Sequence, residues 1–364
     1  MKILTVCSCL DFINYTRRAT IEAIHKLNPE MEILLFNSIL NLRKKKYTSA
    51  HINFYFYHFW IVEKLRKLKV LSFFEYSLRV NKWRSFFHQF EVIFFIDPNQ
   101  YYLLPYLRKN QKVIYLIRDP SVLLDPNNFY KELPIINRAN LILGISKNLC
   151  SYYFEKYYGF IPANVKLWSN TVDLELWNYN KWMPFVKQKD RPLIGLAGNI
   201  DYVIDIDLLI FIVRKLPEYD FEIAGKLDLN YEEQILWDEL ITFPNIEYRG
   251  FIPYNDFPQI VINWDIGLVA AKPEHEFARY LNNNKQYQYM ALGKPFVSYR
   301  LNSEYRDFED LVFIADDKID FVKKIKLAIN KSKEKNVIDS GIKLASEQSS
   351  EFRAKQFLEI ARNL

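Results

Sequence analysis

Short apolar runs recur along the whole chain, separated by stretches with helical periodicity, and this alternation restricts the fold more than any other feature. KILTV at 2–6, EILLFN at 32–37, EVIFFI at 91–96, KVIYLI at 112–117 and LILGIS at 141–146 form one series. PLIGLAGNI at 192–200, DFEIAGK at 220–226, NIEYRG at 245–250, IGLVAA at 266–271 and PFVS at 295–298 form a second. Continuous apolar runs suit strands buried on both faces, and strand–helix alternation produces a doubly wound parallel sheet. Two series in 364 residues predict an α/β chain with two such sheets. The expected domains are 1–180 and 181–345, joined by the polar stretch 178–191, with a final helix over 346–364.

Glycine is scarce, 9 residues, so each one is expected at a turn or a close approach. The loop after the first strand, SCLDFINYTRR, lacks the glycine-rich fingerprint of dinucleotide binding, which argues against a nicotinamide cofactor. Cys7, Cys9 and Cys150 have no metal-type spacing and suit a reducing compartment. No leader segment is expected, and no apolar run reaches the roughly 18 residues that a membrane span needs. A cytoplasmic protein is the expectation.

The stretch NNNKQYQYMALGKPFVSY at 282–299 reads as a polar loop, a short helix closing at Gly293, and a strand. A helix N-terminus aimed at a ligand site offers free N–H groups and a positive dipole end to a diphosphate. Lys285 in the first turn opposes that dipole, which points to a bound anion. The residues Lys285, Tyr287, Gln288, Tyr289, Met290, Ala291, Gly293, Lys294 and Pro295 resemble the K-x-Y/F-E-Y-x-A-x-G-K-P stretch of GT-B glycosyltransferases that use nucleotide sugars. The segments 139–146 and 170–177 resemble two further elements of that family, with Thr171 where glycine is usual.

The resemblance implies two Rossmann-like domains facing a central cleft and a hexosyltransferase of polysaccharide biosynthesis. Its co-substrate would be a nucleotide diphosphate sugar, its acceptor a saccharide or lipid-linked saccharide, with no metal or other cofactor required. The family's ribose-binding Glu falls on Gln288, an amide without the carboxylate's charge. The resemblance places Gly198 and Asn199 at the donor diphosphate and Phe251 and Ile252 at the nucleobase; the polar residues Lys226, Arg279, Asn282 and Lys285 are the further donor candidates, Arg279 first because a guanidinium can bridge two oxygens. Arg118 and Asp119, held at a strand end by Pro120, are the candidate catalytic pair; a plain surface ion pair is the other reading. Asp11, Asn14 and Arg17 follow the first strand and are the acceptor candidates, although Asp11 or Thr16 could instead cap a helix. Asp205 and Asp207 have D-x-D spacing, but in a helix's first turn they favour the dipole without a metal. A nucleotide-sugar epimerase, or a non-catalytic glycan- or partner-binding subunit, are the alternatives.

Residues 43–84 hold 11 Lys or Arg against Glu63 and Glu75, an excess of +9 in a chain whose net charge is +6. Aromatics such as Phe54, Trp60, Trp83 and Phe87 interleave with these bases. The pattern suits an anionic membrane surface, which would make the protein peripheral on the inner membrane face; core aromatics with solvated bases are the other reading. No nucleic-acid module accompanies the patch.

Overall fold

Parallel pairing throughout both large sheets fixes the architecture. The computed structural model describes residues 1–8, 16–38, 54–59, 69–301 and 311–364. Strands β1 (Ile3–Ser8), β2 (Met31–Ser38), β3 (Phe54–Phe59), β4 (Val92–Phe95), β5 (Lys112–Ile117), β6 (Leu141–Gly144) and β7 (Val165–Leu167) form one sheet of order β3-β2-β1-β4-β5-β6-β7. The second contains β8 (Leu193–Ala197), β10 (Asp220–Ala224), β12 (Ile246–Tyr248), β13 (Ile266–Val269), β14 (Phe296–Tyr299) and β15 (Val312–Ala315), in the order β12-β10-β8-β13-β14-β15. The short strands β9 (Ile200–Asp201) and β11 (Leu227–Asp228) pair separately. Both orders run outward from the first strand, then resume on its other side. The reversals, β1/β4 and β8/β13, are where open α/β sheets bind ligands at their carboxyl ends.

The helices that matter below are α1 (Thr16–Leu27), α2 (Lys69–Phe87), α3 (Asn128–Arg138), α4 (Ile206–Lys215), α5 (Asn284–Ala291) and α6 (Ser350–Arg362). One unit comprises Met1–Ile145, Leu149–Trp168 and Arg353–Leu364; the other comprises Ser146–Asn148 and Ser169–Phe352. In the first, Phe357 of α6 packs on Phe94 of β4, ring centroids 4.7 Å apart, and on Trp168. The main change of unit thus comes at Trp168/Ser169, not at residue 180. The polar stretch 178–191 is bound to the second unit: Lys187 N donates to Asn263 Oδ1 at 2.8 Å and Lys189 Nζ reaches Asp265 Oδ2 at 2.7 Å. Polarity alone could not separate a linker from a strap fixed by such contacts.

The aromatic run at 54–59 is a strand at the edge of the first sheet, in register with β2 from Ile33↔Phe54 to Ser38↔Phe59. Of the other aromatics in or just past the basic segment, Trp83 and Phe87 are core residues, 6% and 0% exposed, with Phe87 stacked on Tyr106 at 6.1 Å. Residues 43–53 and 60–68 lie outside the described residues, as do Cys9, Asp11 and Asn14. Among the described residues no helix is long and apolar enough to cross a membrane.

Two glycines in the middle of the second sheet make room for aromatic rings. Gly195 of β8 and Gly267 of β13 are register partners. A Cβ at Gly195 would fall 1.8 Å from the Trp264 ring, and one at Gly267 2.5 Å from the Tyr289 ring. Trp264 is further held by its Nε1–H, which donates to Glu222 Oε1 at 2.8 Å. Gly195→Ala is therefore expected to destabilise the protein by about 1–3 kcal/mol through overpacking, read as a lower denaturant midpoint.

Candidate functional site

The second unit gathers its polar groups where β8, β10 and β12 end. Gly198 follows β8 with φ +102, a conformation that side-chain-bearing residues rarely adopt. Its N–H donates to Ala224 O of β10 at 2.8 Å, and Gly225 N–H donates to Gly250 O beyond β12 at 2.9 Å. A Cβ at Gly225 would lie 1.8 Å from Gly198 O. Only glycines allow these strand ends to approach so closely, and the result is a bare backbone shelf beside the β8/β13 reversal.

Helix α5 places its N-terminus against that shelf. Asn283 caps it by accepting from Lys285 N at 3.2 Å, and Gly293 closes it at φ +66, with Lys294 N bonded to Tyr289 O at 2.9 Å. Tyr289 fixes the helix laterally: its hydroxyl accepts from Ala197 N at 3.2 Å and donates to Leu268 O at 3.3 Å, which ties α5 to β8 and β13. One turn earlier, Lys285 extends to Gly198, whose added Cβ would meet Lys285 Nζ at 2.9 Å. The Lys285 side chain is half-buried, and among the described residues its ammonium has no hydrogen-bond or ion-pair partner. Burial lowers its pKa to about 8, with only the field of Asp201 in opposition. A cation held beside a helix N-terminus is doubly unfavourable, and an anion placed between them relieves both costs.

Gln288 lies one turn further along α5, 6% exposed. Its Nε2 donates to the Tyr254 hydroxyl at 3.4 Å, and that hydroxyl also accepts from Trp177 Nε1 at 3.0 Å. Burial raises the Tyr254 pKa to about 12, so the hydroxyl stays a donor. Tyr254 follows the Gly250–Pro253 turn, which brings Gln288 beside the loop where the resemblance expects a nucleobase. Phe251 on that loop is 71% exposed and Ile252 half-buried. Asn199 and Lys226, just past β8 and β10, are exposed, as is Arg279 between β13 and α5. Asn282 is different: its Oδ1 accepts from Asn170 N at 3.2 Å and its Nδ2 donates to Tyr287 OH at 3.1 Å, which leaves a structural tie in place of a donor contact. Asp205 is the N-cap of α4, accepting from Leu208 N at 2.9 Å, the role its position in the sequence suggested.

In the first unit a cavity of about 110 Å³ opens where β4 and β5 end. Arg118 and Asp119 line it, joined by Asp97 and Asn99 after β4 and by Glu132 of α3. Arg118 Nε is 3.4 Å from Asp119 Oδ2, and its Nη2 is 3.8 Å from Asp97 Oδ2. Glu132 is fully buried and accepts four hydroxyls: Tyr115 at 2.6 Å on Oε1, and Ser121, Tyr153 and Tyr158 at 2.7, 2.6 and 2.6 Å on Oε2. Burial raises its pKa although all four donors act against the rise. Of the acceptor candidates near β1, Arg17 lies in α1; the position of its side chain, like residues Asp11 and Asn14, is outside what the structure describes.

Sequence reasoning missed Tyr254, Asp97 and Glu132. The signal for Asp97 was present: EVIFFIDP and KVIYLIRDP both end a strand in Asp-Pro, and β4 and β5 are neighbours. Glu132 was legible only as a lone acid on the helix face that carries the buried Ile135 and Ile136.

No protein-family model matches the chain and no curated protein sequence does so. Solved structures do match. The Anabaena protein Alr3699/HepE, crystallised in complex with UDP, aligns over 100% of both chains with 14% identity and a TM-score of 0.72. Sucrose-phosphate synthase from Thermosynechococcus elongatus aligns over 100% of this chain and 98% of its own, with 13% identity and a TM-score of 0.74. The lipopolysaccharide outer core galactosyltransferase WaaB aligns over 100% of both chains, with 17% identity and a TM-score of 0.69. With its two doubly wound sheets, the chain has the GT-B fold.

Proposed function

We propose that the protein is a glycosyltransferase that moves a sugar from a nucleoside diphosphate sugar, bound on the second unit, to a saccharide or lipid-linked saccharide. The observation that carries this reading is Lys285: a half-buried ammonium at a helix N-terminus, unpaired among the described residues, beside a shelf of glycine backbone. The diphosphate sits against Lys285 and the first N–H groups of α5, and Arg279 and the Gly198–Asn199 turn complete its surroundings. The ribose lies at Gln288 and Tyr254, and the base along Phe251 and Ile252. UDP in the Anabaena structure and the activities named for the other two similar proteins support a nucleotide sugar donor. Positive charge for the leaving phosphate comes from Lys285 and the helix end; Asp205 of the D-x-D pair is engaged as the cap of α4, so no metal is assigned to this role. Asp119, with Arg118, faces the acceptor. Through residues 43–84 the protein works at an anionic membrane surface on the cytoplasmic side.

The test is turnover. Incubation with UDP-, GDP- and ADP-sugars and a panel of saccharide and lipid-linked acceptors should release the nucleoside diphosphate only when donor and acceptor are both present. Conversion of the donor sugar without acceptor would identify an epimerase, and absence of both turnover and nucleotide binding a non-catalytic subunit. Gln288→Glu is expected to tighten nucleotide binding by about 0.5–1.5 kcal/mol, since a carboxylate is the stronger acceptor for ribose hydroxyls. Calorimetry with UDP checks this, and an unchanged or weaker affinity would remove the ribose from Gln288.

A further inference from the structure

The cavity of the first unit has a more specific chemistry than a general acceptor side. Its mouth presents Arg118 between two carboxylates, Asp97 and Asp119, at separations of 3.8 and 3.4 Å. Asn99, its Oδ1 already accepting from Lys131 Nζ at 2.8 Å, adds an amide donor. Pro98 and the half-exposed Leu124 supply an apolar wall. Acceptors, donors and an apolar wall in one small space suit a pyranose, whose hydroxyls both donate and accept and whose ring carries a C–H face. At about 110 Å³ the space is several times the roughly 10–15 Å³ that one water needs, so it has room for a small polar ligand.

The sign of the charge narrows the ligand further. Asp97 and Asp119 balance Arg118 and Lys131, and Glu132 lies behind them, so the lining has no positive excess. A carboxylate or phosphate placed here would lose its hydration beside like charges. We propose that this cavity binds a single neutral sugar ring, the terminal residue of the acceptor, and rejects acidic sugars. Only the word acceptor rests on the transferase reading; the binding claim stands without it.

Ligand-observed saturation-transfer NMR on the full chain tests this with methyl glucoside, methyl galactoside, N-acetylglucosamine and glucuronic acid, beside a parallel UDP titration. At least one neutral sugar should show transfer that falls about tenfold in both Asp97→Asn and Arg118→Gln. Glucuronic acid should show little transfer, and UDP affinity should hold within about twofold in both variants, since the substitutions lie in the other unit. The proposal is overturned if no neutral sugar binds, if glucuronic acid binds as well, or if binding survives both substitutions. Sugar binding without UDP binding would leave the cavity assigned and sink the transferase reading; UDP binding without sugar binding would do the reverse.

Discussion

Replacement of Lys285 by alanine is expected to weaken UDP binding by about 1.5–3 kcal/mol, roughly 10- to 150-fold, and to make the ligand-free protein more stable. The two effects have one cause. The ammonium stands beside a helix N-terminus, with no hydrogen-bond or ion-pair partner among the described residues and with its pKa lowered to about 8. An unperturbed lysine titrates near 10.5. Below pH 8 the lysine is charged in both folded and unfolded chains, and the burial cost is fully present. Between about 8 and 10.5 the unfolded chain holds a proton that the folded one has released, so stability rises with pH across that window. Lys285→Ala should remove this rise and add about 1–3 kcal/mol at neutral pH, read by denaturant unfolding. UDP affinity of the unsubstituted protein should fall as pH increases through about 8, because the site loses its cation. A variant that binds UDP normally, or one that is destabilised at neutral pH, would show that Lys285 has a structural partner and no phosphate role.

The second large effect is expected at Glu132. Removing its carboxylate with Glu132→Ala leaves Tyr115, Ser121, Tyr153 and Tyr158 without their common acceptor and opens a void at the cavity floor. The expected cost is about 3–5 kcal/mol. Glu132→Gln should cost less, about 1–3 kcal/mol, because the amide still accepts on one oxygen while its NH₂ faces hydroxyl donors. Because α3 and β5 meet through this cluster, both variants should also loosen Arg118 and Asp119, seen as faster amide exchange after β5. A Glu132→Ala protein as stable as the parent would mean that the four hydroxyls find other acceptors.

Much of the second unit was legible because its information is local. The helix that ends at Gly293 and the strand after Pro295 are written in contiguous residues: a polar loop, a short helical stretch and the glycine that closes it. The unfavourable position of Lys285 could likewise be read before any geometry was known, since dipole sense depends only on position within a helix. What stayed hidden was assembled across the sheets. Tyr254 meets Gln288 across 34 positions, and Asp97 reaches Arg118 only because β4 and β5 are adjacent. Asn282 looked like a ligand residue within a polar loop, but its partner Asn170 is 112 positions away. At 54–59, charge drew attention to a surface while the run of aromatics formed a strand. The strap 178–191 failed for a related reason: its lysines are polar, yet Asn263 and Asp265 hold two of them to the second unit.

The most direct test of the account is the structure of the full chain crystallised with UDP. The account predicts the diphosphate within hydrogen-bond distance of Lys285 Nζ and the first amides of α5, with the ribose at Gln288 and Tyr254. UDP bound anywhere else on the chain, or bound here with Lys285 turned away from the phosphates, would contradict it.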